Sequence, residues 1–313
     1  MNTSASLSRR RILQAGAATA ALAAPGLLHP VSGALAFSTQ VLAQKAFPTP
    51  SEAAEALMDG LARNDGEQVK TVLGAGYARY IPPESADYAD RIKFLEAWSR
   101  GHKIVQQGDN KAALEVGTHG WTLPIPLVKS AAGWRFDIKA TPAELQTRRI
   151  GRNELAAIQT VLAITDAQEE FFAANPDGLP VKHFAQRAVS TPGKRDGLYW
   201  PTAPNAPESP LGPAFADARP GQAYHGYRYR LLTEQGKDAP GGARSYVRNG
   251  LMTEGYALIA WPERYGDTGV MTFIVSRDGV VYQKNLGRGT EAAARRIKSY
   301  NPDASWEKVD APK

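Results

Sequence analysis

The sequence predicts an α+β fold in two domains, each with a helix packed on an antiparallel sheet. Three observations carry this. Apolar residues recur at three- and four-residue steps in NELAAIQTVLAITDAQEEFF and over a shorter span in SEAAEALMDGLA, the pattern of helices with one buried stripe. Short apolar runs divided by turn residues follow each helical stretch, so helices and strands are segregated rather than alternating. At 313 residues, 43% apolar and 22% charged, the chain is globular and longer than a typical single domain.

The segments follow in order. Residues 1–43 set Ser8, Arg9, Arg10 and Leu13 around a paired arginine, then run through Ala-rich apolar sequence from Ala15 to Leu28. That run is too short and too weakly apolar for a bilayer span, which needs roughly 20 strongly apolar residues. It resembles a twin-arginine signal peptide, which implies recognition by the twin-arginine export machinery, cleavage before Phe37 or before Gln44, and a soluble periplasmic product. No later segment is long and apolar enough to cross a membrane.

The charge balance points the same way. Arg9, Arg10 and Arg11 are the only charged side chains in 1–43, so on cleavage the 37 basic residues fall to 34, against 31 acidic. So small an excess, with no basic run interleaved with aromatics, excludes nucleic acid as a partner. The chain has no cysteine, which excludes a thiol nucleophile, a disulfide framework, an iron–sulfur cluster and a lipoprotein anchor.

Residues 44–148 form the first expected domain. Thr49 or Ser51 caps a helix with Pro50 and Glu52 in its first turn and Ala54, Leu57, Met58 and Leu61 on its apolar stripe. Asn64, Asp65 and Gly66 stop it, and Val69, Val72 and Leu73 mark a short second helix. Ile92, Phe94, Leu95 and Trp98 share a face of a third helix over 90–100. The runs 111–116, 121–128 and 133–138 read as strands. Helices followed by strands ending in GWRFDI resemble the nuclear-transport-factor-like or cystatin-like fold, which implies a helix across a curved sheet and an apolar pocket between them.

Residues 149–313 form the second. A helix over 152–174 carries Leu155, Ile158, Val161, Leu162, Thr165, Gln168, Phe171 and Phe172 at helical steps and stops at Asn175, Pro176, Asp177 and Gly178. A long Pro-rich loop covers 190–220. Strands are expected over 227–233, 255–261, 270–276 and 280–284, the last two joined by Arg277, Asp278 and Gly279, and a helix over 290–300 follows. This order resembles the soluble headgroup of type IV pilins and pseudopilins, which implies that the stripe from Leu155 to Phe172 is covered by the C-terminal meander. The strongly apolar helix that builds a pilin filament does not precede it, so filament assembly is not implied.

Across residues 45–309 the stretches RRIGRNELAAIQ, STPGKRDGLYWPT, YHGYRYRLL and YGDTGVMTFIVSRDGVVY resemble the exported bacterial family catalogued as domain of unknown function 2950. The resemblance implies a bacterial exported protein and brings no reaction with it.

The chemistry-bearing motifs are mostly absent. His102, His119, His183 and His225 have no i, i+4 partner and no His-Glu-x-x-His run, so no metal is expected. Lys194 after Gly193 lacks the rest of a phosphate loop, and no dinucleotide fingerprint or Gly-x-Ser-x-Gly elbow occurs. No cofactor is expected. Asp166, Glu169 and Glu170 read as the solvated face of the main helix.

The best candidates are Lys194, Arg195, Asp196, Tyr199 and Trp200 in the loop, with His225 beyond it. Directional hydrogen bonding beside flat aromatic area is the mixture found at binding hot spots; the structural reading is a clamp, in which Arg195 and Asp196 pair with each other or with the sheet edge while Tyr199 and Trp200 fill the space between domains. The expectation is an exported, non-enzymatic binding or interaction module that takes an envelope protein or a small ligand. The alternatives are an envelope-acting hydrolase whose carboxylates converge in three dimensions and a small-molecule carrier using a pocket in the first domain.

Overall fold

In a computed structural model the protein is described over residues 44–80, 88–202, 208–215 and 221–310. Ser8, Arg9, Arg10 and Leu13, with the rest of the expected export signal 1–43, lie outside the described residues, as do Pro204 and Pro207 of the loop. The fold is α+β, with antiparallel sheets.

The N-terminal half begins with α1 (Pro50–Ala62), α2 (Gly66–Leu73) and α3 (Tyr88–Arg100). Thr49 caps α1 by accepting the Glu52 N–H at 3.2 Å, and Asp65 caps α2 by accepting the Gln68 N–H at 3.0 Å. The strands are β1 (His102–Gln106), β2 (Lys111–Val116), β3 (Trp121–Thr122), β4 (Leu127–Ser130) and β5 (Gly133–Phe136). They pair in the order β1-β2-β4-β5, with β3 also on β2. The strand expected over 121–128 is therefore interrupted: Pro124 and Pro126 have no amide hydrogen for a ladder, and Leu123 and Ile125 turn inward to the core instead. Strand β1 was not expected, because HKIVQ lies mostly exposed and has no clear alternation. Helices α1 and α2 close over Leu114, Ile125, Leu127, Trp134 and Phe136.

Helix α4 (Thr141–Ala174) runs for 34 residues and starts well before the expected position 152. Pro142 sits in its first turn, where a missing N–H costs nothing, and the polar stretch that follows is held by specific partners. The Arg148 guanidinium pairs with Glu144 at 3.0 Å and donates to the Thr122 carbonyl at 2.6 Å. The helix ends at Asn175, which adopts the left-handed conformation at φ 46°.

The C-terminal half contains β6 (Tyr227–Leu232), the short strands β7 (Glu234–Gln235), β8 (Arg244–Ser245), β9 (Val247–Arg248) and β10 (Leu251–Met252), then β11 (Ala257–Pro262), β12 (Met271–Ser276), β13 (Val281–Asn285), α5 (Thr290–Arg296) and β14 (Glu307–Lys308). The main sheet has the order β14-β13-β12-β11-β6. Helix α4 contacts β11 and β12, and α5 contacts β11. A central strand covered on both faces needs apolar residues throughout, and all six of ALIAWP in β11 are buried. The tight connection after Ser276 works because Gly279 takes φ +71° and Asp278 accepts the Val280 N–H at 3.1 Å.

The stripe on α4 is shifted from the expected one: Leu162 and Phe172 are only half-buried, while Ala157, Thr160, Ile164 and Ala167 join the buried face. Ala157, Ile158, Val161, Ile164, Thr165, Ala167, Gln168 and Phe171 are buried, but Leu155 is 52% exposed. At about 100° per residue Leu155 lies roughly 150° from the centre of that stripe, so its apolar character misled the periodicity count. Helix α5 stops at Arg296 rather than 300, because Ile297 turns extended and Tyr300 is drawn into backbone hydrogen bonds with Glu234 and Gly236.

Candidate functional site

Part of the loop after α4 is built as a rigid turn. Ser190 N–H donates to the Tyr199 carbonyl and Tyr199 N–H to the Ala188 carbonyl, each at 2.8 Å. Gly197 sits where a Cβ would lie 2.8 Å from the Ser190 nitrogen, so the crossing requires glycine. Asp196 accepts the N–H and the hydroxyl of Thr191, both at 2.8 Å, and lies 3.6 Å from Arg187. Partial burial pushes its carboxyl up, but the Thr191 donors and the Arg187 charge outweigh this and hold it below the usual carboxylate range.

The candidate residues separate by role. Leu198 is buried in the C-terminal core, Tyr199 packs against it, and Trp200 is buried. The guanidinium of Arg195 lies 5.7 Å from the Trp200 ring centroid. The pairing expected of the clamp is not what the loop adopts: Asp196 is turned to Thr191 and Arg187 rather than to Arg195 or a sheet edge, and Tyr199 packs against the C-terminal core. Lys194 and Arg195 are exposed. His225, exposed at φ 50°, stands against the Tyr224 ring.

This turn forms one wall of a recess of about 390 Å³. Leu198, Leu211 and Phe215 come from the loop, Ile164 from α4, and Tyr229 and Leu231 from β6. Burial pushes the Tyr229 phenol well above its ordinary pKa, against the opposing effect of the Thr160 hydroxyl, so it stays a neutral donor. Among the described residues the lining contains Arg187 and Arg230 and no carboxylate; the Arg230 guanidinium is spent on the carbonyls of Ala294 and Ile297, at 2.8 and 2.5 Å.

A second recess, of about 290 Å³, lies in the N-terminal half among Leu57, Leu61, Val69, Leu73, Phe94 and Ile125. Its rim holds Asn64, Asp65, Asp90 and Arg91. Arg91 donates to Asn64, Asp65 is the α2 cap, and Asp90 pairs with Lys93 at 3.3 Å.

Elsewhere, Glu169 is more than a solvated side chain. It holds Arg277 through two bonds of 2.9 Å and accepts from the Tyr256 hydroxyl at 3.2 Å, while Asp166 and Glu170 are exposed. Among the described residues no group of three or more His, Asp or Glu side chains could hold a metal ion, and no helix is long and apolar enough to cross a membrane.

Sequence reasoning missed Thr160, Ala188, Leu211, Phe215, Tyr229 and Leu231 as recess residues. YRYRLL carried a strand signal, but nothing local says that this strand ends the sheet.

The molecule is thus an α+β protein in which the described residues form an apolar recess in the N-terminal half and another in the C-terminal half. Residues 44–309 match the family described as Protein of unknown function (DUF2950), and the chain belongs to that family. No curated protein and no solved structure matches it.

Proposed function

We propose that this protein is a non-enzymatic binding module of the bacterial cell envelope, exported through the twin-arginine route and working in the periplasm after loss of residues 1–43. Ser8, Arg9, Arg10 and Leu13 support the export reading. The observation that carries the binding reading is the recess of about 390 Å³ beside the hydrogen-bonded turn 187–199: it is largely apolar, within the size range of ligand sites, and has no acid among the described residues of its lining to serve as a catalytic group. Lys194 and Arg195 stand exposed on the same turn, and the rigid backbone beneath them supports a preorganised surface rather than a passive connection. We read residues 44–148 and 149–313 as two domains, the first nuclear-transport-factor-like or cystatin-like and the second pilin-headgroup-like; α4 against β11 and β12 supports the latter.

A photo-crosslinking amino acid at Ala188, an exposed lining position, tests the binding reading in cells that export the protein. A specific adduct at 188, and none at exposed Asp109 of the N-terminal sheet, is the expected result. Equal labelling at both positions, or none, removes this reading.

A second reading has its own observation. The N-terminal recess of about 290 Å³ has a largely apolar lining, which suits a small-molecule carrier. Native mass spectrometry of the exported protein checks it: a bound compound supports a carrier, and a bare mass counts against one.

A further inference from the structure

One wall of the C-terminal recess is made of backbone. Among the described residues strand β6 is the last strand of its sheet, with β11 along one edge and no strand along the other. Pro262, which has no amide hydrogen, stands opposite Tyr227, while the Glu263 N–H donates to the Gly226 carbonyl at 3.0 Å. The even-numbered residues of β6 therefore turn their backbone groups toward β11 and the odd-numbered ones turn theirs outward. The outward groups of Tyr227 exchange two bonds with Tyr224, at 2.8 and 3.0 Å, and the Thr233 carbonyl accepts from the Tyr246 N–H at 2.8 Å. Between these closed positions stand Tyr229 and Leu231. Their two N–H and two C=O groups have no hydrogen-bond partner among the described residues, and both residues line the recess, half-buried.

Backbone donors and acceptors left open at the side of an apolar recess match another extended backbone. We infer that the outer edge of β6 is a strand-addition site: an extended acidic peptide segment lies along Tyr229 and Leu231, completes their four hydrogen bonds, and sets alternate side chains against Leu198, Leu211 and Phe215. The open stretch from Tyr227 to Thr233 admits about five residues at roughly 3.3 Å each. The charge preference follows from the walls. Among the described residues the recess lining has no carboxylate and Lys194 and Arg195 make no ion pair, whereas the one acid of the turn, Asp196, is already matched by Arg187. This inference rests on the recess being the binding site and specifies what it binds.

The test is fluorescence anisotropy of the full chain with a labelled, end-capped nonapeptide alternating Val and Asp. A strand uses one edge at a time, so N-methylation of every second amide should weaken binding at least tenfold in one phase and little in the other. Replacing every Asp of the peptide by Lys should weaken it at least tenfold. The exposed double substitution Lys194→Glu, Arg195→Glu should do the same while leaving the urea midpoint unchanged. Leu231→Pro, which deletes an outward N–H and no ladder bond, should also abolish binding, and the exposed pair keeps the test valid if that variant does not fold. The inference is overturned if both methylation phases bind equally, if the Lys peptide binds as well as the Asp peptide, or if no member of the series binds up to about 1 mM, the weak limit of specific association. It is also overturned if sedimentation shows a second copy of the chain on this edge. A crosslinked adduct at 188 without peptide binding removes the strand-addition site and leaves the binding reading in place.

Discussion

The two halves of the molecule each set an apolar recess beside an antiparallel sheet, yet the recesses are built from different parts. In the N-terminal half, α1, α2 and α3 lie over the recess and the lining is mostly apolar side chain, with the rim polar groups engaged by one another, by a cap or by Lys93. In the C-terminal half the recess opens on a sheet edge, so the open backbone groups of Tyr229 and Leu231 stand there beside polar side chains such as Thr160 and Arg187. A side-chain lining selects for shape and volume, whereas a backbone lining selects for an extended chain. The same class of fold thus offers a compact site and a linear one.

The largest expected effect tests whether the halves are energetically separate. Phe171 on α4 and Phe136 on β5 are both fully buried, one in each cluster. Substitution of either by Ala should cost about 3–5 kcal/mol. Helix α4 is tied to the N-terminal sheet through Arg148 and to the C-terminal half through Asn153, which donates to the Thr268 carbonyl at 2.8 Å. Both variants should therefore lower the midpoint of one shared urea transition followed by tryptophan fluorescence. Two separated transitions, each responding to only one substitution, would break the coupling.

Next is the tie itself. One carboxylate oxygen of Glu154 accepts the N–H groups of Val270 at 2.8 Å and Met271 at 3.0 Å, at the start of β12. Glu154→Ala strands two partly buried amides and should cost about 2–3 kcal/mol. Glu154→Gln keeps an acceptor oxygen and should recover more than half of that. If Gln is as damaging as Ala in urea titrations, the two hydrogen bonds are not what α4 contributes there.

A smaller effect of opposite sign sharpens the contrast between the recesses. Leu61→Phe adds volume at a half-buried wall of the N-terminal recess and should raise stability by about 1 kcal/mol, the usual yield of filling apolar space. It should leave peptide binding at β6 unchanged. A loss of stability by calorimetry would mean that the recess is smaller in solution than about 290 Å³.

How much of this the sequence discloses depends on whether the cause is local. Periodicity marks α4 because burial repeats every three or four residues, and it fails at Leu155 because apolar character alone does not fix an angle around the helix. The polar start of α4 is invisible to periodicity, since Arg148 and Arg149 are placed by partners far along the chain, Thr122 and Asp267. Lys194, Arg195 and Trp200 stand out by composition, and the structure explains Trp200 as core. The open edge at Tyr229 and Leu231 has no local signature at all: a strand becomes an edge only through what fails to pair with it. Tyr227, Tyr229 and Leu231 look alike in sequence, and only the exchange with Tyr224 separates the closed position from the open ones.

The smallest effect concerns the turn that carries the exposed cations. Asp196 is held below the usual carboxylate range, so the sign of its linkage is fixed. Its contribution is present above about pH 4, the unfolded value, and is lost as pH falls through the lower folded value. Asp196→Asn retains an acceptor for the Thr191 N–H and loses mainly the attraction of Arg187 at 3.6 Å, which is worth little at a partly exposed site. The cost at pH 7 should stay under about 1 kcal/mol. The variant should differ from wild type in urea midpoint at pH 7 and converge with it below pH 4, while the N-terminal variant Leu61→Phe keeps its offset at both. If Asp196→Asn and wild type stay apart in acid by as much as at neutral pH, the turn is held by its backbone bonds alone and its charge has no part in presenting Lys194 and Arg195.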